Sequence, residues 1–268
     1  MDDRSYTLPT APQSIGHVLD NAVLLYRKSF FSVLPLLFLF SLFSYSTYFI
    51  AFPPFDLGGV SVFVYENHMA YLVIQTTIVS TLFIAILYRL HAFTYNIPCS
   101  SLDAISIALW KLIPFLIYLT IQSAIVGLMF LPNLFPEYQL NPIAWLSSIV
   151  GSILFIYTLP AAVLLSTHKI NLLTSLKRSL AIMNGHFWRM TNFYFILIVL
   201  YLAIGLGISI LLFGLVSYGV LLSARTDLLQ ISAQAMVMLF FGGLIYSGLI
   251  TSIHDLELRQ QQNQKINL

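Results

Sequence analysis

Six apolar runs, each close to the length that crosses a bilayer, constrain this chain more than any other feature. They fall at about Phe30 to Phe52, Met69 to Leu90, Leu112 to Leu131, Ile143 to Leu165, Asn192 to Val216 and Ile231 to Ile250. A helix rises 1.5 Å per residue, so about 20 residues cross a hydrocarbon core about 30 Å thick. The composition leaves no soluble alternative: 268 residues that are 59% apolar and 8% charged cannot cover a water-soluble globule. Backbone N–H and C=O groups in lipid need internal partners, which leaves helices or closed barrels. Barrel strands alternate apolar with polar residues over about ten positions, and these runs do not. The expected fold is an all-α, polytopic membrane protein with six transmembrane helices.

Prolines punctuate the runs. Pro53 and Pro54 close the first and Pro132 and Pro136 the third, because proline cannot supply the N–H that continues a helix. Pro35, Pro114 and Pro160 fall within or near spans, where proline is tolerated. The first 28 residues carry Asp2, Asp3, Arg4, Asp20, Arg27 and Lys28 with no continuous apolar stretch, so no cleavable signal is expected. Cys99 is the single cysteine, which excludes an intrachain disulfide and a cysteine-only metal site.

Lysine and arginine set the orientation. One side of the membrane receives Arg4, Arg27, Lys28, Arg89, Lys111, Lys169, Lys177, Arg178, Arg189, Arg259 and Lys265, and the other keeps only Arg225. An even number of spans with both termini in the cytoplasm follows. A net charge of +2, spread along the chain, gives no reason to expect nucleic acid as a partner.

Amphipathic cytoplasmic segments precede the odd-numbered spans. The first begins at Ser14 and places Ile15, Val18, Leu19, Ala22, Val23 and Tyr26 at helical spacing. The second follows a Ser100 or Ser101 cap, with Leu102, Ile105, Leu109 and Leu112 on one stripe. The third carries Leu173, Leu176, Leu180, Met183 and Phe187 beside Lys177 and Arg178. Apolar residues at i, i+3, i+4 and i+7 with basic neighbours predict interfacial helices. The domain plan is therefore a cytoplasmic segment over 1–29, a six-helix transmembrane domain over 30–250 and a cytoplasmic tail over 251–268. A threefold repeat of interfacial helix plus hairpin fits the same pattern.

Three motifs carry a family likeness: the run Ser14-Ile-Gly-His-Val-Leu-Asp-Asn-Ala-Val-Leu-Leu-Tyr-Arg-Lys-Ser-Phe; Leu176-Lys-Arg-Ser-Leu through Gly185-His-Phe-Trp-Arg; and His254-Asp-Leu-Glu-Leu-Arg. With them the chain resembles the YciC-type bacterial inner-membrane proteins, related to the membrane domain attached to some glycerophosphodiester phosphodiesterases. The resemblance implies a six-helix domain in a bacterial inner membrane, with a role in envelope or membrane maintenance. It lends no catalytic residue, and the 18 residues after Ile250 hold no phosphodiesterase domain.

Catalytic chemistry finds little to work with. Five histidines, His17, His91, His168, His186 and His254, fall on the cytoplasmic side without metal-ligand spacing, so solvated or interfacial roles are expected and no metal or cofactor. Asp255 and Arg259 read as a solvated i,i+4 pair. No nucleophile has a base beside it, and a non-enzymatic protein is expected.

Three sets of residues remain as candidate sites. Arg27, Lys28, Lys111, Lys177, Arg178 and Arg189 are candidates for anionic lipid headgroups. Gln75, Thr77, Ser80, Thr81, Gln122 and Gln234 lie at membrane depth, where they line a polar path or bond between helices. Ser147 and Gly151, Gly205 and Ser209, and Gly243 and Ser247 are small-xxx-small pairs suited to close helix contact. Phe55, Val60, Val62, Phe63 and Tyr65, and Leu131, Leu134, Phe135 and Tyr138, make the outer connections apolar enough to lie on a leaflet or meet a partner. The leading expectation is a protein of envelope or lipid homeostasis. A transporter or flippase for a neutral or lipidic substrate, and a scaffold for other membrane proteins, are the alternatives.

Overall fold

A computed structural model describes residues 6–51, 68–130, 142–217 and 226–266. The outer-connection residues named above, apart from any helix end, and Arg225 lie outside the described residues. The described residues form seven helices and no strand: α1 (Ile15–Ala51), α2 (His68–Thr94), α3 (Ser101–Met129), α4 (Pro142–Thr167), α5 (Leu172–Met183), α6 (Phe187–Ser217) and α7 (Thr226–Ile266). All but α5 are long and apolar enough to cross a membrane.

The first interfacial segment and first span form one continuous helix of 37 residues, and the second segment and third span one of 29. Nothing at the expected breaks stops a helix. Arg27, Lys28 and Ser29 are helix-compatible, and the Ser29 hydroxyl donates back to the Leu25 carbonyl at 2.8 Å. The third segment does separate as α5, because the chain turns at Asn184 and Gly185, where Gly185 takes φ +78. That left-handed conformation suits glycine and ends a helix. Ser100 caps α3 in a capping box with Asp103, and Asn171 caps α5 by accepting from the Thr174 amide at 2.8 Å. The tail is likewise an unbroken part of α7, which runs to Ile266.

The bundle is organised around α7. It packs most extensively on α1 and also meets α6 and α2, while α1 to α4 pack as consecutive neighbours. Of the span window in α7, 61% is buried, against 11% in α6, so α6 is a peripheral helix leaning on a central one. Small residues set the closest approaches. A Cβ on Gly151 would stand 2.8 Å from the Met129 amide nitrogen, and one on Gly243 would stand 2.5 Å from the Tyr26 ring. Ser147 and Ser148 hydroxyls donate to the Leu128 and Met129 carbonyls at 3.3 and 2.7 Å, and Ser247 is fully buried.

Gly205 and Ser209, the third small pair, line an open groove rather than a helix contact. Among the described residues, no atom beyond the local helix backbone lies within 4 Å of a Cβ built on Gly205. Gly151→Leu should therefore destabilise the bundle by about 1–3 kcal/mol or more through overpacking, whereas Gly205→Ala should leave the thermal midpoint in mild detergent unchanged or slightly raised.

Candidate functional site

The basic residues meet at one end of the bundle, and most of them are tied to the protein itself. The Arg89 Nε donates to the Ser32 carbonyl at 2.6 Å, and its Nη1 donates to the Cys99 carbonyl. Arg89 thereby joins α1, α2 and the connection to α3. Lys111 donates to the Ser166 and His168 carbonyls at 2.7 and 3.1 Å. A cation on the last carbonyls of α4 satisfies acceptors that the helix leaves open and complements its dipole. Arg178 pairs with Glu257 at 2.6 Å, bringing α5 to α7.

Asp255 is the centre of this end. Its side chain is 6% exposed, and its Oδ2 accepts from Arg189 Nη2 at 2.9 Å and Arg259 Nε at 3.0 Å. Its Oδ1 accepts from the Gln13 amide at 2.7 Å. Both guanidinium groups also donate to the Gln13 carbonyl. A carboxylate that would be costly alone is thus paired twice and hydrogen-bonded a further time. The i,i+4 pair expected in solvent is a buried junction of α6, α7 and the N-terminal segment.

That segment is a strap. His254 Nε2 donates to the Pro9 carbonyl at 2.9 Å, and the Asn21 amide donates to the Gln13 side-chain oxygen at 2.5 Å. Tyr6, at the start of the strap, is 1% exposed in the core, and burial pushes its phenol up to about 12. The strap brings the chain's beginning and the end of α7 to the same end of the bundle.

His17 is exposed, as expected, whereas His91, His168, His186 and His254 are partly buried. His91 and His168 rings stand 5.5 Å apart. Burial holds His168 below the ordinary imidazole value, with Glu257 pulling it back up and Arg178 and Lys111 pushing it down. Among the described residues no three His, Cys, Asp or Glu side chains come together as a metal site.

Among the headgroup candidates, then, Lys111 and Arg189 are held in internal contacts, Arg178 is half-buried in its pair, and Lys28 is half-buried and engaged. Arg27 and Lys177 are exposed. α5 has a mixed inner face, burying Ile182 and Met183 and packing Leu172 and Leu176 on the core. It buries Ser175 and Ser179, the latter donating to the Tyr157 carbonyl at 2.7 Å. It exposes Leu173 at 70% and Leu180 at 47%, and Trp188, at the start of α6, is 75% exposed. Trp110, just before Lys111, is 87% exposed. Tryptophan at this level marks a membrane boundary.

The polar side chains at membrane depth mostly bond between or within helices. Gln75 donates to the Phe43 carbonyl at 2.9 Å, joining α2 to α1. Thr77 and Thr81 hydroxyls donate back to the Val73 and Thr77 carbonyls. Gln122 donates to Tyr118 and Thr158 hydroxyl oxygens at 2.5 and 2.8 Å, and Ser80 is buried. Gln234 differs: it is exposed and lines a groove of about 760 Å³ with Tyr45 of α1 and Val199 to Ser209 of α6.

Comparison with protein-family models, curated proteins and solved structures finds no match.

The Asp255 junction was invisible in the sequence, since Gln13 and Arg189 stand 242 and 66 positions from it. Asp255→Ala leaves two partly buried arginines without their carboxylate, and removing one partner of a buried pair costs about 3–5 kcal/mol. Limited proteolysis should then cut at residues 9–14 several-fold faster than in the unaltered protein.

Proposed function

We propose that this is a non-enzymatic multi-pass protein of a bacterial inner membrane, of the YciC type, acting in envelope or membrane-lipid homeostasis. Its basic end, with both termini, faces the cytoplasm and contacts anionic headgroups. One observation carries the reading: α5 leaves Leu173, Lys177 and Leu180 outward on one face, while the opposite face buries Ser175 and Ser179 with Ile182 and Met183. A helix facing water buries leucine and exposes serine. A helix that leaves leucines outward beside a lysine, in addition to its buried apolar face, suits a place in the membrane interface, with those leucines among the acyl chains and lysine at the phosphates.

The resemblance to the YciC-type family and the charge asymmetry support the same reading. The transporter alternative has less support, since Gln75, Thr81 and Gln122 use their donors in helix packing. A scaffold role would use the exposed face of α6 and has no specific contact in its favour.

Two measurements test the proposal. Lys177→Glu should reduce phosphatidylglycerol retained in native mass spectrometry several-fold while retention of phosphatidylethanolamine stays constant; equal retention of both lipids would contradict it. Cysteines placed at Arg27 and Lys177 in a Cys99→Ala background should react with an impermeant maleimide in inside-out vesicles and stay unreactive in right-side-out ones.

A further inference from the structure

The groove lined by Gln234 goes beyond the headgroup reading, because it lies at the opposite end of the bundle and in a different helix pair. Near the basic end α6 is pressed onto α7. Arg189 pairs with Asp255, and a Cβ on Gly248 would stand 2.7 Å from Leu197. Farther along, α6 stands off from α1 and α7, which stay joined where the Ser41 hydroxyl donates to the Ala235 carbonyl at 2.8 Å; Leu206 is 65% exposed there, and among the described residues nothing meets a Cβ built on Gly205.

The level of the groove follows from helix rise. Ser209 lies about 30 Å along α6 from Arg189, and Gln234 lies about 31 Å along α7 from Asp255. The Arg189 and Asp255 level is also that of Trp188, so Ser209 and Gln234 fall at the far boundary of a hydrocarbon core about 30 Å thick. Between these levels the groove wall is mostly apolar, contributed by Val199, Leu202, Leu206 and Val237. Water has too few polar partners there to fill it. Its volume of about 760 Å³ is that of a pocket for a ligand of drug-like or larger size.

We propose that the groove is a lateral binding site for a glycerophospholipid of the leaflet remote from the basic end. One acyl chain runs along Leu206 and Val237 towards Val199, and the ester carbonyl at its head meets the Gln234 amide and Ser209 hydroxyl. Both are donors, as an ester acceptor requires. The chain gains contact with three helices in place of one and is thereby distinguished from ordinary boundary lipid.

The test is photocrosslinking in vesicles of phosphatidylethanolamine and phosphatidylglycerol containing a phosphatidylethanolamine with a diazirine at mid-chain, followed by mapping of adducts on the full chain. Adducts on the groove residues Leu202, Leu206 and Val237 should exceed those on the outward positions Val73 and Ile74 of α2 several-fold. Gly205→Trp should abolish that excess and leave the outward adducts in place, which also reports that the variant is folded. Gln234→Leu should lower the excess without removing it. Uniform labelling of groove and outward positions in the unaltered protein would overturn the proposal, as would crosslinks showing another part of the chain filling the groove. Neither outcome bears on headgroup binding at α5.

Discussion

One carboxylate holds the basic end together. Asp255 is nearly inaccessible to solvent and bonds to Arg189 at the base of α6, Arg259 one turn along α7, and the backbone of Gln13 in the strap. Three segments that are distant in sequence therefore converge on a single charge. In a medium where an unpaired charge is so costly, such a junction has one satisfied arrangement and many unsatisfied ones. It fixes where α6 begins relative to α7 and gives a short N-terminal segment a defined place without secondary structure of its own.

The remaining basic residues extend the same device. Arg89, Lys111 and Arg178 each donate to carbonyls or a carboxylate of another element. Lysine and arginine here fasten the helices to one another at one end of the bundle. The far end is built differently, from glycine and serine contacts at Gly151, Ser147 and Ser148, and from a groove where α6 stands away from α1 and α7. The protein is fastened at one interface and open laterally near the other.

Much of the fold was legible because bilayer thickness imposes a length on every span. The six runs and the Ser100 cap of α3 could be read from apolar length and a capping residue, whereas the end of α5 at Met183 could not, since the apolar stripe continues to Phe187 in α6. The fusion of the first segment with α1 was not, since Arg27, Lys28 and Ser29 signal a membrane boundary and do not stop a helix. Side-chain roles were less legible. Spacing identified Ser147 and Gly151 as a pair suited to contact, and gave the same reading for Gly205 and Ser209, which line a groove. A local i,i+4 pattern showed Asp255 with Arg259 but carried no trace of Gln13 or Arg189. The α5 stripe marked an interfacial helix, yet only packing reveals that Ser175 and Ser179 face inward.

The central claim is that α6 and α7 are closed at the Asp255 end and parted at the Gln234 end. Pulsed electron resonance between spin labels in nanodiscs tests it, using one label pair at Trp188 and Gln260 and another at Ile210 and Phe240 in a Cys99→Ala background. The account predicts that the basal pair matches a close-packed helix pair, with axes about 8–10 Å apart, and that the far pair requires a distinctly larger axial separation. The same close axial separation at both levels would contradict it.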